Sequence, residues 1–74
     1  MRVTIKYCKE WNYQPEAASL AEEIVKNYNV KPELIPGRGG VFDVTVDDQI
    51  IFSKMEMRRF PVGGEISKLI ENIG

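Results

Sequence analysis

Histidine is absent from this chain, and cysteine occurs once, at Cys8. A zinc site therefore lacks ligands of the usual kind, so no metal is expected, and no intramolecular disulfide can close. A dominant charge is missing as well, since ten Lys and Arg stand against eleven Asp and Glu. The net charge of -1 gives no overall field to attract nucleic acid or an acidic membrane, so charge-based recognition must be local. No apolar run approaches the roughly 18 residues of a membrane span, and Arg2 and Lys6 interrupt any leader-like stretch. The expectation is an unprocessed protein of the reducing cytoplasm, with neither nucleic acid nor membrane as partner. With 74 residues, 43% of them hydrophobic, the chain makes one small domain, residues 1–74, with little stability to spare.

What the chain does have is periodicity. Val3, Ile5 and Tyr7 alternate with Arg2, Thr4 and Lys6, the period-2 pattern of a half-buried strand that ends at Cys8. Pro15 opens a run in which Ala17, Ala18, Ala21, Ile24, Val25 and Tyr28 recur at helical spacing, predicting a helix over about 15–27. Val30, Pro32 and Leu34 then alternate with Lys31, Glu33 and Ile35. Proline confines such a strand to an edge or to its own first residues, so the second strand is short and at an edge. Residues 41–46 alternate again, with Phe42, Val44 and Val46 inward. Asp47-Asp48 reads as a tight turn, and 49–53 pairs back with Ile50 and Phe52 inward. Residues 54–64 read as an irregular connection, and Ile66, Leu69, Ile70 and Ile73 mark a final helix.

The resulting order, βαβββα, predicts an α/β two-layer sandwich. Strands one and two, joined through a helix, make a parallel right-handed crossover, whereas strands three and four make an antiparallel hairpin. A mixed four-stranded sheet of order 2-1-3-4 follows, with both helices on one face and the polar face solvated. That order brings Cys8, the glycine loop Gly37-Arg38-Gly39-Gly40 and Ser53-Lys54 to one rim.

Cys8 is the only soft nucleophile, although a lone cysteine also serves as a small core residue. The glycine loop lacks the third glycine of a dinucleotide fingerprint and precedes a strand rather than a helix. It matches a GxxG RNA clamp literally, but between strands in a chain that is not basic. A tight backbone crossing, with Arg38 free for a carboxylate or a partner, fits it best. The locally basic stretch 54–61 is either a solvated loop or a docking lip, in which Lys54, Arg58 or Arg59 meets an acidic group and Phe60 and Pro61 supply apolar contact. Trp11 and Tyr13 are either lids on the core or exposed anchors for a protein partner.

Taken together, Val3-x-Ile5-x-Tyr7-Cys8-x-x-Trp11-Asn12-Tyr13-x-Pro15, Pro36-Gly37-x-Gly39-Gly40-Val41-Phe42-Asp43-Val44-Thr45-Val46-Asp47, Ile50-Ile51-Phe52-Ser53-Lys54 and Arg59-Phe60-Pro61 resemble the selenoprotein W-like, or Rdx, family of thioredoxin-like proteins. The resemblance spans nearly the whole chain. It implies a thioredoxin-like fold and a Cys-x-x-Cys or Cys-x-x-selenocysteine motif in glutathione- or thioredoxin-linked thiol exchange. No bound cofactor is implied; glutathione or a protein thiol would be a mixed-disulfide partner. Cys8 takes the first redox position and Trp11 the second, so the chain as written lacks the group that resolves a mixed disulfide. Either Cys8 works as a monothiol, or Trp11 stands for selenocysteine, whose UGA codon is one base from the tryptophan UGG. A reading of a different class also stands: an adaptor that keeps the surface without redox turnover and binds protein through Trp11, Tyr13, Phe60 and Pro61.

Overall fold

The computed structural model describes residues 1–73. Strand β1 (Val3–Cys8) leads through helix α1 (Gln14–Tyr28) to β2 (Glu33–Gly37), and β3 (Phe42–Val46) and β4 (Gln49–Ser53) form a hairpin. A single helical turn, α2 (Lys54–Met57), and helix α3 (Glu65–Ile73) follow. The sheet order is β2-β1-β3-β4, with β1 parallel to β2 and the other pairs antiparallel. This is the predicted α/β architecture.

Alternation decides which face of the sheet is dry. Val3, Ile5 and Tyr7 of β1, Phe42, Val44 and Val46 of β3, and Phe52 of β4 form one core with Ala17, Leu20 and Ile24 of α1 and Ile66 and Ile70 of α3. Each large side chain buried there contributes about 1.5–3 kcal/mol by removal from water. Helix α1 carries Pro15 in its first turn, where a missing N–H costs nothing, and ends on Asn29 in the left-handed conformation, whose N–H donates to Val25 O at 2.9 Å. At the hairpin, Asp47 and Asp48 both have positive φ, 48° and 70°, as a two-residue turn between twisted strands requires. Asp47 also ties the hairpin to the start of the chain, accepting from Arg2 N–H at 2.9 Å through Oδ1.

Several local expectations change. The second strand begins only at Glu33, so Pro32 precedes it and Pro36 lies within it. Leu20 turns inward, while Ala18 and Val25 face solvent, so the buried stripe of α1 is narrower than its apolar spacing. Ile50 is 60% exposed rather than inward, because a bulge in β4 opposes Thr45 to Ile50 and Val44 to Phe52 and leaves Ile51 unpaired between them. One extra residue inverts the pattern on one side of it. The connection after β4 is partly ordered as α2, and Ile73, 42% exposed, leaves the apolar stripe of α3.

Candidate functional site at the end of the first strand

Cys8 is the last residue of β1 and is fully buried, yet it stands outside the contiguous core. Its N–H donates to Val41 O at 2.7 Å, and its carbonyl accepts from Tyr13 N–H at 3.0 Å. Between these residues the chain folds tightly, with Asn12 N–H on Lys9 O at 3.1 Å and Asn12 in the left-handed region at φ 57°. The turn carries Trp11 back over the strand end, so that Trp11 N–H points at Cys8 Sγ at 3.4 Å. The first and second motif positions are thus in direct contact through sulfur and backbone.

The two side chains are disposed oppositely. Cys8 has no exposure, while Trp11 is 61% exposed, its ring resting on Gly40. A Cβ at Gly40 would collide with the indole, and the positive φ of 79° there is one that side chains rarely adopt. Gly37 pairs beside Cys8 on β2 and accepts from Lys9 N–H at 3.1 Å. Val41 Cγ1 and Lys6 Cε close over it, at 2.8 and 3.1 Å from where a Cβ would stand. The glycine loop therefore admits an indole at one end and strand contact at the other.

A chain of aromatic edges runs from the rim into the core. Trp11 meets Tyr13 at 6.1 Å, Tyr13 meets Phe60 at 4.8 Å and Phe60 meets Phe42 at 5.2 Å, all edge to face. Lys54 Nζ lies over both Tyr13 and Phe60, at 5.4 and 5.2 Å from the ring centres, so α2 places a cation on this chain. Phe60 is held from behind by Arg59, which donates to Phe60 O at 3.1 Å and forks onto Glu65 at 2.7 and 2.8 Å. That fork, then Val62 N–H at 3.1 Å, holds the Glu65 carboxyl down at about 2, against a small opposing effect of burial. The Arg59 guanidinium is pushed up by the same hydrogen bond.

The predicted rim residues separate into groups. Cys8, Trp11, Gly37 and Gly40 meet directly, and Tyr13, Lys54 and Phe60 form the adjoining aromatic and cationic cluster. Arg38 and Gly39 are exposed on the loop. Ser53 pairs with Asp43, two strands from Cys8. Arg58 adopts φ 60° and is exposed without an ion pair among the described residues, while Arg59 is committed to Glu65. Pro61 lines a crevice with Leu20 and Phe42 rather than the rim. Sequence reasoning missed Val41, whose carbonyl and side chain both close on the Cys8 region, and Asp43, whose Oδ1 is buried without a hydrogen-bond partner among the described residues. Their places next to the glycine loop, inside a stretch that carries the family resemblance, were the signal. No group of His, Cys, Asp and Glu able to hold a metal occurs among the described residues, and no helix among them is long and apolar enough to cross a membrane.

The fold that carries this site is shared with proteins already solved. A selenoprotein W-related protein from Vibrio cholerae matches with a TM-score of 0.91 at 20% identity, covering 97% of this chain and 94% of that one. A Bordetella parapertussis protein matches with a TM-score of 0.92 at 22% identity, covering 99% and 96%. In sequence the chain is 25% identical over 71 residues to migration and invasion enhancer 1 from Bos taurus and from Mus musculus. The match covers 95% of this chain but spans only 62% of those relatives' length. The Rdx family model matches residues 2–72, and with the thioredoxin-like fold around Cys8 this establishes that the chain belongs to the selenoprotein W-like Rdx family.

Proposed function

We propose that the chain is a thiol-exchange protein of the cytoplasm, with glutathione or a protein thiol as its partner and the pair of positions 8 and 11 as its centre. The observation that carries this reading is the contact between Trp11 N–H and Cys8 Sγ, within a family of thioredoxin-like redox proteins. With oxidised glutathione, the Cys8 thiolate attacks one sulfur, the glutathione disulfide breaks, and one glutathione thiolate leaves and takes up a proton. The product is a mixed disulfide at Cys8. No second sulfur stands at position 11, so an external thiol must attack this disulfide to return Cys8 to the thiol. Burial of Cys8 requires the turn from Cys8 to Tyr13 to open for either step.

The same exposures bear on a chain carrying selenocysteine at position 11. There the exposed group would be the selenol and the buried one Cys8, so position 11 would attack and Cys8 would resolve. Codon 11 of the native gene decides between the two forms, UGA for the two-centre motif and UGG for the monothiol.

The test is to incubate the protein with oxidised glutathione at neutral pH and weigh it. One glutathionyl group on the native chain and none on Cys8→Ser is expected; an unmodified native chain overturns the reading. The 61% exposure of Trp11 over a fully buried thiol favours the second reading, an adaptor binding protein through Trp11, Tyr13 and Phe60, with Pro61 turned away into its crevice. Under it, Cys8→Ser retains partner binding and Trp11→Ala loses it.

A further inference from the structure

The sheet has two open edges, and they are built differently. The β2 edge carries Pro36 within the strand, Pro32 just before it, and Glu33 in an ion pair with Arg2 at 3.7 Å. Proline and charge are devices that stop an edge from adding another strand. The β4 edge has neither: Gln49-Ile50-Ile51-Phe52-Ser53 is uncharged and free of proline. Among the described residues, no backbone hydrogen bond outside the sheet ladder reaches it. Beside it lie the exposed side chains of Ile50 and Met57, and a shallow groove lined by Ile51, Leu69 and Glu56 as well.

We propose that β4 pairs with β4 of a second copy of this chain, antiparallel about a two-fold axis, joining two four-stranded sheets into one. Charge selects this occupant. Antiparallel self-pairing sets the start of one β4 beside the end of the other. The start carries the Asp47-Asp48 turn, and the end leads into residues 54–58, where Lys54 and Arg58 outnumber Glu56, Arg59 being neutralised by Glu65. Opposite charges meet at both ends of such a pair, whereas parallel pairing would set like beside like.

The bulge selects the register. It leaves Ile50 and Ser53 on the solvent face and turns Ile51 and Phe52 to the helix side. This pattern is symmetric about the midpoint between Ile51 and Phe52. A two-fold axis there sets Ile50 beside Ser53 and Ile51 beside Phe52 of the second copy, with faces matched. Five residues a side bury less than the roughly 1,200 Å² of a stable interface, so the dimer is weak and concentration-dependent.

Sedimentation equilibrium of the full chain over a range of concentrations tests the pairing. The expected mass rises from 8.5 kDa towards twice that value as concentration increases. Ile50→Lys, on a side chain already in solvent, keeps the circular dichroism spectrum and abolishes the rise. Neutralising the turn with Asp47→Asn and Asp48→Asn, which tolerate the same backbone, weakens association about two- to tenfold. Glu33→Lys on the β2 edge leaves it unchanged. Should Ile50→Lys misfold, hydrogen exchange on the native chain replaces it, with β4 amides gaining protection as concentration rises. A chain that stays monomeric to millimolar concentration, association that survives Ile50→Lys, or β4 amides protected only by an added foreign peptide would overturn the proposal.

Discussion

The rim around Cys8 and the clasp between α1 and α3 are both built from polar and aromatic side chains, yet they are finished differently. In the clasp each group is used by another. Ser67 Oγ donates to Glu23 at 3.0 Å and accepts from Asn27 at 3.0 Å, Tyr28 O–H donates to Ser67 O at 2.8 Å, and Glu23 also takes Gly64 N–H at 3.3 Å. Glu65 closes the same side by taking both nitrogens of the Arg59 fork. At the rim, Trp11, Arg38 and Arg58 are left in solvent, and Asn12, Gly39 and Gly40 hold positive φ angles. Satisfied networks lock elements together, whereas open groups on unusual backbone belong to a surface that meets something else.

That contrast can be broken most severely at Phe42, which belongs to the core and also ends the aromatic chain. Phe42→Ala should cost about 3–5 kcal/mol in urea unfolding and loosen Phe60 and Tyr13 with it. An intact aromatic circular dichroism signal in that variant would separate rim from core.

Gly40→Ala acts on the rim alone. It adds a Cβ under the indole at a left-handed position, so a loss of about 1–2 kcal/mol is expected, with Trp11 fluorescence reporting displacement of the ring. Unchanged emission would mean that the indole does not rest on the loop in solution. Trp11→Cys sharpens the comparison chemically, with little effect on stability expected at so exposed a site. Oxidation should close a bond between positions 8 and 11 and lower the mass by two hydrogens, and a product carrying two glutathionyl groups instead would show that the sulfurs do not meet.

The clasp has the smallest and most specific signature. Glu65 is held at about 2 against an ordinary 4.5, so between these values the unfolded chain binds the proton that the folded chain refuses. Its contribution is complete above about pH 4.5 and is lost as pH falls towards 2. Glu65→Gln should remove that part of the acid dependence of Tm while leaving glutathione uptake at Cys8 as it was; an acid profile identical to the native one would refute the role given to the pair.

Much of this was legible before the fold was known. Alternation in Val3 to Tyr7 and Phe42 to Val46, the crossover rule and an edge position inferred from Pro32, which in fact precedes β2, led to the sheet order and hence to the placement of Cys8 beside the glycine loop. Ile50 was not legible, because a bulge depends on how two strands meet and leaves no periodic trace. Pro36 inside β2 was hidden too, since an edge strand tolerates proline on its open side. At the site, residue types announced candidates but not their partners: Arg58 and Arg59 are neighbours in sequence, and only packing commits one to Glu65.

By itself the sequence determined the order of the strands and the two longer helices, the dry face of the sheet, the lack of a second thiol and the family, because these depend on residue identity and spacing. Tertiary structure alone decided the exposures of positions 8 and 11. A side chain's access to water depends on what folds over it, and here the turn from Cys8 to Tyr13 covers the thiol while Gly40 props the indole in solvent.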